Sequence, residues 1–404
     1  MLTTVPTLQH KSIAAIAEVT RLKPEQIRRH RKIITDIFEL PKVDLHVHLG
    51  GSLRVSTIID LAQEQGIALP TTDPDRFRTL VSRDRYPNLE AYLKYFPLTE
   101  SVLQTVPALE RGAYEIACDM AAENVWYCEL RFSPMNYTHR GLRPHEVIHA
   151  VARGLERAQQ ETGIVANMIL CSLRIYNQHM SPYHKKIARF FSCFTNKQLA
   201  QEVARNTAVA AVNARQVDGL TRVVGFDIAG PEKGYPAKNF AESFQLITKA
   251  GLYNTCHAGE GFGWESIKQA LVDCHVDRIG HGTHLLDSDM LVEYCAGMRR
   301  VPIEVCLTSN AQTTPEFANY KNHPVREFRK RNLRVILCTD NRLISNTTKT
   351  KECYLAWQHH DFSLADLAAA ELNGLKSAFM HSNTRRTLIP EFITRVRKRF
   401  KLGF

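Results

Sequence analysis

The sequence VDLHVHLGG, residues 43–51, sets two histidines one residue apart within a run of strand-forming residues. Side chains alternate between the faces of a strand, so His46 and His48 point the same way near its carboxyl end. Two imidazoles placed like this form a chelating pair for a divalent metal, most simply zinc. The pattern alone also fits two hydrogen-bonded core histidines, and the rest of the chain has to decide between the two interpretations.

From this strand onward the chain alternates short β-branched runs with longer stretches of helical periodicity. We predict eight strands, at 43–48, 125–131, 165–171, 222–228, 252–257, 276–280, 301–307 and 333–339. Eight strands alternating with helices indicate a parallel sheet, and their number favours an α/β fold of the (β/α)8 TIM barrel type. An open doubly wound sheet is the alternative, but its glycine-rich turn after the first strand is missing, and GEGFG at 259–263 follows the fifth strand.

Three segments extend this minimal barrel. Residues 1–40 are predicted to be an N-terminal helical extension that Pro41 ends, which leaves 41–404 as a single barrel domain. Helical insertions are predicted at 66–115 and at 176–215. Because loops after barrel strands face the active end, either insertion is placed to form part of a lid.

Other predicted strands also end in residues that titrate. The fifth ends in CHAGE, the sixth in IGHG and the eighth in CTDN, which contribute His257, Glu260, His281 and Asp340. The carboxyl ends of the strands are where barrel enzymes keep their chemistry. A catalytic zinc takes three or four protein ligands and a water, and this set supplies them with a general acid to spare.

Composition narrows the class of protein further. With 404 residues, 44 % of them hydrophobic and 23 % charged, the chain has the make-up of a globular protein. It lacks an apolar run long enough for a membrane span or a secretion signal, and its ten cysteines form no CxxC pair. We therefore expect reduced thiols, a cytoplasmic location and no membrane partner.

The net charge of +11 raises the question of nucleic acid. Basic clusters such as RRHRK at 28–32 and RVRKRF at 395–400 are typical of solvated helix faces and tails. They are not accompanied by zinc-finger spacing, an RNA-recognition motif or the paired cysteines of base-flipping deaminases. A nucleic-acid partner is therefore not expected.

Six motifs, in order, carry a resemblance to a known family: KVDLHVHLGGSL, ELRFSP, VVGFDIAGPE, CHAGEG, RIGHGTHL and CTDNRLIS. They closely resemble the adenosine deaminase family of metal-dependent hydrolases, from about residue 41 to about residue 385. The resemblance implies one zinc ion per subunit, held by His46, His48, His257 and Asp340. It also implies that Glu260 donates a proton to the purine ring at N1, that His281 polarises the attacking water with Asp340, and that the Gly230 amide contacts the base.

The segment AYLKYF corresponds to a region that forms an apolar gate in this family. Tyr92 and Phe96 are the gate residues that the resemblance implies, and plain helix packing is an equally good explanation of both.

Two positions depart from the family pattern. Asn341 stands where many members have a second aspartate, and its amide can still donate a hydrogen bond to a purine nitrogen. Gly50 stands where an acidic residue usually meets the ribose 5′-hydroxyl, so the acceptor is missing and space is opened. One explanation is a preference for a 5′-modified adenosine, since a lost hydroxyl contact weakens discrimination. The other is that a residue of an insertion supplies the contact.

The expected function is zinc-dependent hydrolytic deamination of a 6-aminopurine nucleoside, adenosine or a 5′-modified relative. An aminohydrolase of the same fold acting on free adenine or another amine is the alternative. A non-catalytic binding protein is a third, against which the intact ligand set and Glu260 weigh. The sequence does not indicate an oligomeric state.

Overall fold

The computed structural model of this chain describes residue 8 and residues 11–403. Within them, eight parallel strands form a sheet in which each strand pairs with the next along the chain. The strands are β1 (Lys42–His48), β2 (Val125–Phe132), β3 (Val165–Leu173), β4 (Val223–Ala229), β5 (Tyr253–Ala258), β6 (Arg278–His281), β7 (Pro302–Val305) and β8 (Arg334–Leu337). Val47 of β1 also pairs with Asp340, just after β8. The predicted (β/α)8 TIM barrel is confirmed.

Burial explains why these segments are strands. The sequences VWYCELRF of β2 and VVGFDIA of β4 are buried along their whole length, as expected for strands covered on both faces. The predicted positions agree to within about two residues at every strand; at β7 the strand ends at Val305, and Leu307, the last residue predicted for it, begins the helix Leu307–Thr313. A short apolar run is buried in either state, so its pattern did not separate strand from helix there.

Helices surround the sheet. Those in the described residues are α1 (Ile13–Thr20), α2 (Pro24–Glu39), α3 (Val55–Gln65), α4 (Pro74–Val81), α5 (Leu89–Leu93), α6 (Phe96–Glu100), α7 (Val106–Ala122), α8 (Pro144–Thr162), α9 (Pro182–Phe190), α10 (Asn196–Gln216), α11 (Ala241–Lys249), α12 (Trp264–Val272), α13 (Asp289–Ala296), α14 (Leu307–Thr313), α15 (Val325–Lys330), α16 (Lys349–His360), α17 (Leu364–Ser377) and α18 (Ser382–Phe400). None of these helices is long and apolar enough to cross a membrane. All ten cysteines lie in the described residues and are unpaired.

The two predicted insertions differ in kind. Helices α4, α5 and α6 lie between β1 and β2 in addition to α3 and to α7, which packs against β2 and α8. The predicted insertion at 66–115 therefore extends too far, because α7 begins at Val106. In the second region only α9 is an addition, because α10 packs against β3 and β4 as the connecting helix of the barrel. The prediction that all of 176–215 lies outside the barrel was therefore too wide.

The N-terminal segment is helical where it is described. Ile27, Ile34 and Phe38 of α2, which suggested the helix by their spacing, are buried in the same core as the barrel, and α2 packs against α16. The buried ammonium group of Lys42 donates hydrogen bonds of 2.7–3.0 Å to three carbonyls at and after the end of α2, those of residues 37, 38 and 40. These bonds satisfy carbonyls that the helix leaves without partners. The division into domains at residue 40 stays a prediction, and residues 1–7, 9 and 10 lie outside the description.

Candidate metal and catalytic site

Four donor side chains converge at the carboxyl end of the barrel. His46 and His48 come from β1, His257 from β5 and Asp340 from the segment after β8, and their ligand atoms lie within 4.8 Å of one another. The Nε2 atom of His257 lies 3.0 Å from that of His46 and 3.1 Å from that of His48. The Asp340 Oδ1 atom lies 3.5 and 3.3 Å from the same two nitrogens.

These distances fit zinc. Zinc–nitrogen bonds of about 2.0–2.1 Å in a tetrahedral site put the ligand atoms roughly 3.3 Å apart. When the Nδ1 atoms of His46 and His257 carry the ring protons, both Nε2 lone pairs point at one another, and a cation between them is their natural partner. The donor set, three imidazoles and one carboxylate, also suits zinc.

Carboxylates behind the histidines fix which nitrogen faces the centre. The Nδ1 atom of His46 lies 2.7 Å from Glu304, and that of His257 lies 2.9 Å from Asp227. An Nδ1–H donated to a carboxylate leaves the Nε2 lone pair free for a metal. Burial by itself would raise the pKa of Asp227 and Glu304, but Arg131 and the other neighbouring cations lower both pKa values.

The backbone places Asp340 against the first strand. The Asp340 N–H donates to the His46 carbonyl and the His48 N–H donates to the Asp340 carbonyl, both at 2.8 Å. Asp340 adopts φ +61°, a left-handed conformation that is costly for a residue with a side chain. Such strain is typical of functional sites, and here it directs the carboxylate toward the histidines.

Glu260 and His281 lie beside the metal ligands, with His281 Nε2 3.6 Å from Glu260 Oε2. Burial first, and then the charge of Asp340, raise the pKa of Glu260 well above its ordinary value, which favours the protonated form. The Asn310 amide lies 3.0 Å from His281 Nδ1 and donates to it, so the proton of the neutral ring is on Nε2. That buried Nε2 has no hydrogen-bond partner among the described residues and is available to a ligand.

Glu232 holds the loop that carries Glu260. Its buried carboxylate accepts hydrogen bonds of 2.7–2.9 Å from the backbone N–H groups of Gly259, Glu260 and Gly261, and one from the Ser266 hydroxyl. Sequence reasoning did not assign a role to Glu232 or to Asn310. Glu232 is the last residue of the motif VVGFDIAGPE, which could have indicated its importance. Asn310 lies on α14, beyond the seventh predicted strand, which ended at residue 307.

A cavity of about 670 Å³ opens above these groups. It is lined by all of the residues predicted to contact substrate, namely Gly50, Phe96, Gly230 and Asn341, and by His48, Tyr92, His257, Glu260, His281 and Asp340. His46 lies beneath, fully buried. The structure thus brings every predicted site residue together around one cavity, although their roles stay predictions.

The two predicted gate residues behave differently. Tyr92 is buried and its hydroxyl lies 2.8 Å from the Ser345 hydroxyl, so this side chain is tied to the structure beneath it. The Phe96 ring is partly exposed and meets the His48 ring edge-on, with centroids 6.2 Å apart. Phe96 is therefore the side chain better placed to cover a ligand at the metal site.

The glycine pair after the first strand makes room for two side chains. A Cβ atom at Gly51 would lie 1.7 Å from Asn341 Oδ1, so only glycine fits beneath this amide. The Asn341 Oδ1 atom has no hydrogen-bond partner among the described residues, which leaves the amide available to a ligand in the cavity. A Cβ atom at Gly50 would lie 2.7 Å from Glu100 Cγ, so the space that Gly50 opens is filled by a carboxylic side chain from α6.

The sequence of this chain was compared with family models and with known proteins, and the matches agree with one another. The family model described as "Adenosine deaminase" matches residues 41–201 and 186–395. An adenosine deaminase of Streptomyces coelicolor is 34 % identical over 388 residues, 92 % of this chain and 88 % of that protein. A probable adenosine deaminase of Dictyostelium discoideum is 35 % identical over 343 residues, which are 84 % of this chain but only 41 % of that longer protein.

Solved structures agree in fold. The N6-mAMP deaminase of arabidopsis superposes with a TM-score of 0.73 at 26 % identity, covering 89 % of this chain and 99 % of that one. An amidohydrolase of Burkhoderia ambifaria, solved with bound Zn, gives a TM-score of 0.74 at 25 % identity, covering 90 % of this chain and 94 % of that one.

Proposed function

Since this chain belongs to the adenosine deaminase family and is a hydrolase that deaminates, we propose that it acts on 6-aminopurine nucleosides, converting adenosine to inosine and ammonia with zinc. The observation that carries the proposal is the convergence of the four-residue metal group with Glu260 and His281 at one cavity. The cavity of about 670 Å³ has room for a nucleoside. The similar relatives that bear the name adenosine deaminase support the substrate class.

The metal would be held by His46, His48, His257 and Asp340. Bound there, zinc would lower the pKa of a water molecule toward about 7 and so would supply a nucleophile at neutral pH. The zinc-bound amidohydrolase of similar fold supports this choice of ion.

The remaining steps belong to side chains of this chain. Glu260, kept protonated by burial, donates its proton to N1 of the purine, which makes C6 electrophilic. The His281 Nε2–H donates to the water oxygen that adds to C6 and stabilises the charge on it in the transition state. One proton of that water passes to Glu260 and restores the acid. As the C6–N6 bond breaks, the proton of the new C6 hydroxyl moves to N6, so ammonia leaves and the 6-oxo purine keeps the proton on N1. Asn341 and the Gly230 amide would hold the ring.

Ammonia release from a panel of substrates tests this function. We expect zinc-loaded enzyme to deaminate adenosine and 2′-deoxyadenosine, with free adenine at least about tenfold lower in kcat/KM, roughly 1.4 kcal/mol of transition-state preference. Removal of the metal with a chelator should abolish turnover and added zinc should restore it, with one zinc per chain by elemental analysis. Preference for adenine would favour the alternative function, and no turnover of any purine would contradict the proposal.

A substitution of Glu232 tests whether its carboxylate positions the loop that carries Glu260. Exchanging Glu232 for Gln replaces one acceptor oxygen with an amide NH2 that faces backbone N–H groups, so the Glu260 loop should shift. A displacement of about 1 Å costs up to roughly a hundredfold, and we expect kcat to fall tenfold to a hundredfold with KM and zinc content nearly unchanged. Steady-state kinetics measures this split. The exposed Glu242, exchanged for Gln, is the control, and equal kcat in both variants would refute the positioning role.

A further inference from the structure

The cavity contains a third carboxyl group besides those of Glu260 and Asp340. Glu100, the last residue of α6, lines the same cavity and takes no part in the steps above. Among the described residues it has no ion-pair partner, and its oxygens accept only from the Tyr137 hydroxyl at 3.2 Å and the Asn136 amide at 3.3 Å. A carboxyl group below the surface without a cation is costly and needs an explanation.

The environment of Glu100 favours a ligand as that explanation. Burial raises the pKa of Glu100 to about 7, against which the two hydrogen bonds only partly act. Both bonds are long, and a carboxyl group has lone pairs for more than two donors. The side chain therefore retains capacity to accept a hydrogen bond from a group in the cavity.

Gly50 and Glu100 are fitted to each other. A Cβ atom at residue 50 would lie 2.7 Å from Glu100 Cγ and 2.9 Å from Glu100 Oε1, so any other residue there would require the Glu100 side chain to move. Gly50 is not among the residues with positive φ, so its backbone would accept a side chain and the requirement for glycine is one of space. The sequence has no acidic residue at position 50 and has one at position 100. In the structure the side chain of Glu100 occupies the space beside Gly50, so the two positions are related.

The position of the reacting atom decides which part of a nucleoside meets Glu100. C6 has to lie at the metal group, with Glu260 at N1, so the sugar at the opposite edge of the purine extends away from them. Gly50 lies two residues beyond His48, and Glu100 stands against it on the cavity wall. The hydroxyl groups are the only hydrogen-bond donors of the sugar, and the 5′-hydroxyl reaches furthest from the base.

We propose that Glu100 is the specificity-determining residue of the site, accepting a hydrogen bond from the 5′-hydroxyl of the nucleoside and excluding a 5′-phosphate. This inference rests on the proposed function. A thioether or a hydrogen at the 5′ position offers no donor, which would leave the carboxyl group unpartnered. A phosphate would meet the Glu100 carboxyl group, whose only hydrogen-bond donors among the described residues are the neutral Tyr137 hydroxyl and Asn136 amide.

The first test compares substrates on the wild-type chain and on Glu100→Ala. Wild type should prefer adenosine over 5′-deoxyadenosine at least about thirtyfold in kcat/KM, and methylthioadenosine and AMP should be poorer still. In Glu100→Ala the preference should shrink to within threefold, because adenosine loses rate while 5′-deoxyadenosine does not. In Glu100→Gln, AMP should gain at least tenfold relative to adenosine, since the repulsion is gone.

A second test moves the acid rather than removing it. The double variant Gly50→Asp with Glu100→Ala returns a carboxylate to the first loop and should restore the preference for adenosine that Glu100→Ala loses. Glu90→Ala, on the neighbouring helix α5 and exposed, is the control that should change nothing. Zinc content and melting temperature of each variant show that the site is still folded. Affinities for inosine and 5′-deoxyinosine by calorimetry give the same comparison without turnover.

The outcomes separate the two proposals. Turnover of adenosine together with equal turnover of 5′-deoxyadenosine by wild type would overturn the role of Glu100 and leave the deaminase function standing. Preference for AMP or methylthioadenosine would overturn it as well and would favour a 5′-modified substrate. A wild-type chain that deaminates no nucleoside and binds inosine no better than 5′-deoxyinosine would overturn both.

Discussion

Replacing Glu260 by Gln should lower kcat at least about a thousandfold while the protein keeps its zinc. General acid catalysis contributes typically 10²–10⁴-fold, and a carboxamide of the same shape has no proton of suitable acidity to donate to the purine. Glu260 is buried and is not one of the four donors of the metal group, so fold and metal content should not change. Ammonia release with zinc analysis on the same preparation measures both.

The control for this variant is Glu265→Gln, which alters an exposed carboxylate five residues away. Turnover above about a tenth of wild type in Glu260→Gln would show that another group donates the proton.

The pH profile of the wild type gives an independent test. Because burial raises the pKa of Glu260 and the protonated form is the donor, activity should persist at neutral pH and fall as pH rises through that pKa.

Replacing Arg131 by Met should lower the free energy of unfolding by about 3–5 kcal/mol, the typical result of leaving buried charges unpaired. Arg131 lies inside the barrel with no exposed surface. Its guanidinium donates to Asp227 and Glu304, both at 2.9 Å, and to the Leu45 carbonyl at 2.6 Å. Methionine fills part of the volume but leaves two buried carboxylates without this cation. Urea unfolding of the metal-free proteins isolates the effect from zinc binding.

The same substitution should weaken zinc binding about tenfold to a hundredfold, the usual cost of disturbing the groups behind metal ligands. Asp227 and Glu304 hold His257 and His46, and the guanidinium fixes the positions of both carboxylates. Competition with a chromogenic chelator measures the affinity. Arg157→Met, at an exposed helix position, is the matched control. For the stability prediction, a free energy of unfolding of Arg131→Met within about 1 kcal/mol of wild type would contradict it and would mean that Arg278 alone compensates the charge of Glu304.

Much of the site was predictable because its residues follow directly from strand ends. His46, His48, His257 and Asp340 stand at the ends of segments whose β-branched runs mark them as strands, and parallel strands in a barrel bring those ends together. Their convergence needs only the order of elements. The resemblance to a known family added the roles, which the residues alone left open.

The roles of three other residues were harder to predict from the sequence: Arg131, Asn310 and Glu232. A charged residue within the run VWYCELRF was not predicted to act, because its partners Asp227 and Glu304 lie 96 and 173 residues away along the chain. Asn310 was missed because it lies beyond the predicted seventh strand in a polar stretch, and its contact with His281 depends on how α14 packs.

The sequence by itself determined the barrel and placed the four donors of the metal group and Glu260 near the ends of its strands. The reason is that hydrophobic periodicity and the order of strands and helices can be read along the chain. Only the tertiary structure decided which side chain occupies the space beside Gly50. By sequence the glycine was a lost acceptor, explained either by a 5′-modified substrate or by a contact from an insertion; in the fold, Glu100 of an inserted helix fills that space with a carboxyl group. The physical reason is that contacts between two loops depend on how each packs over the barrel, and no periodicity or propensity encodes which side chain will stand opposite a glycine fifty residues away.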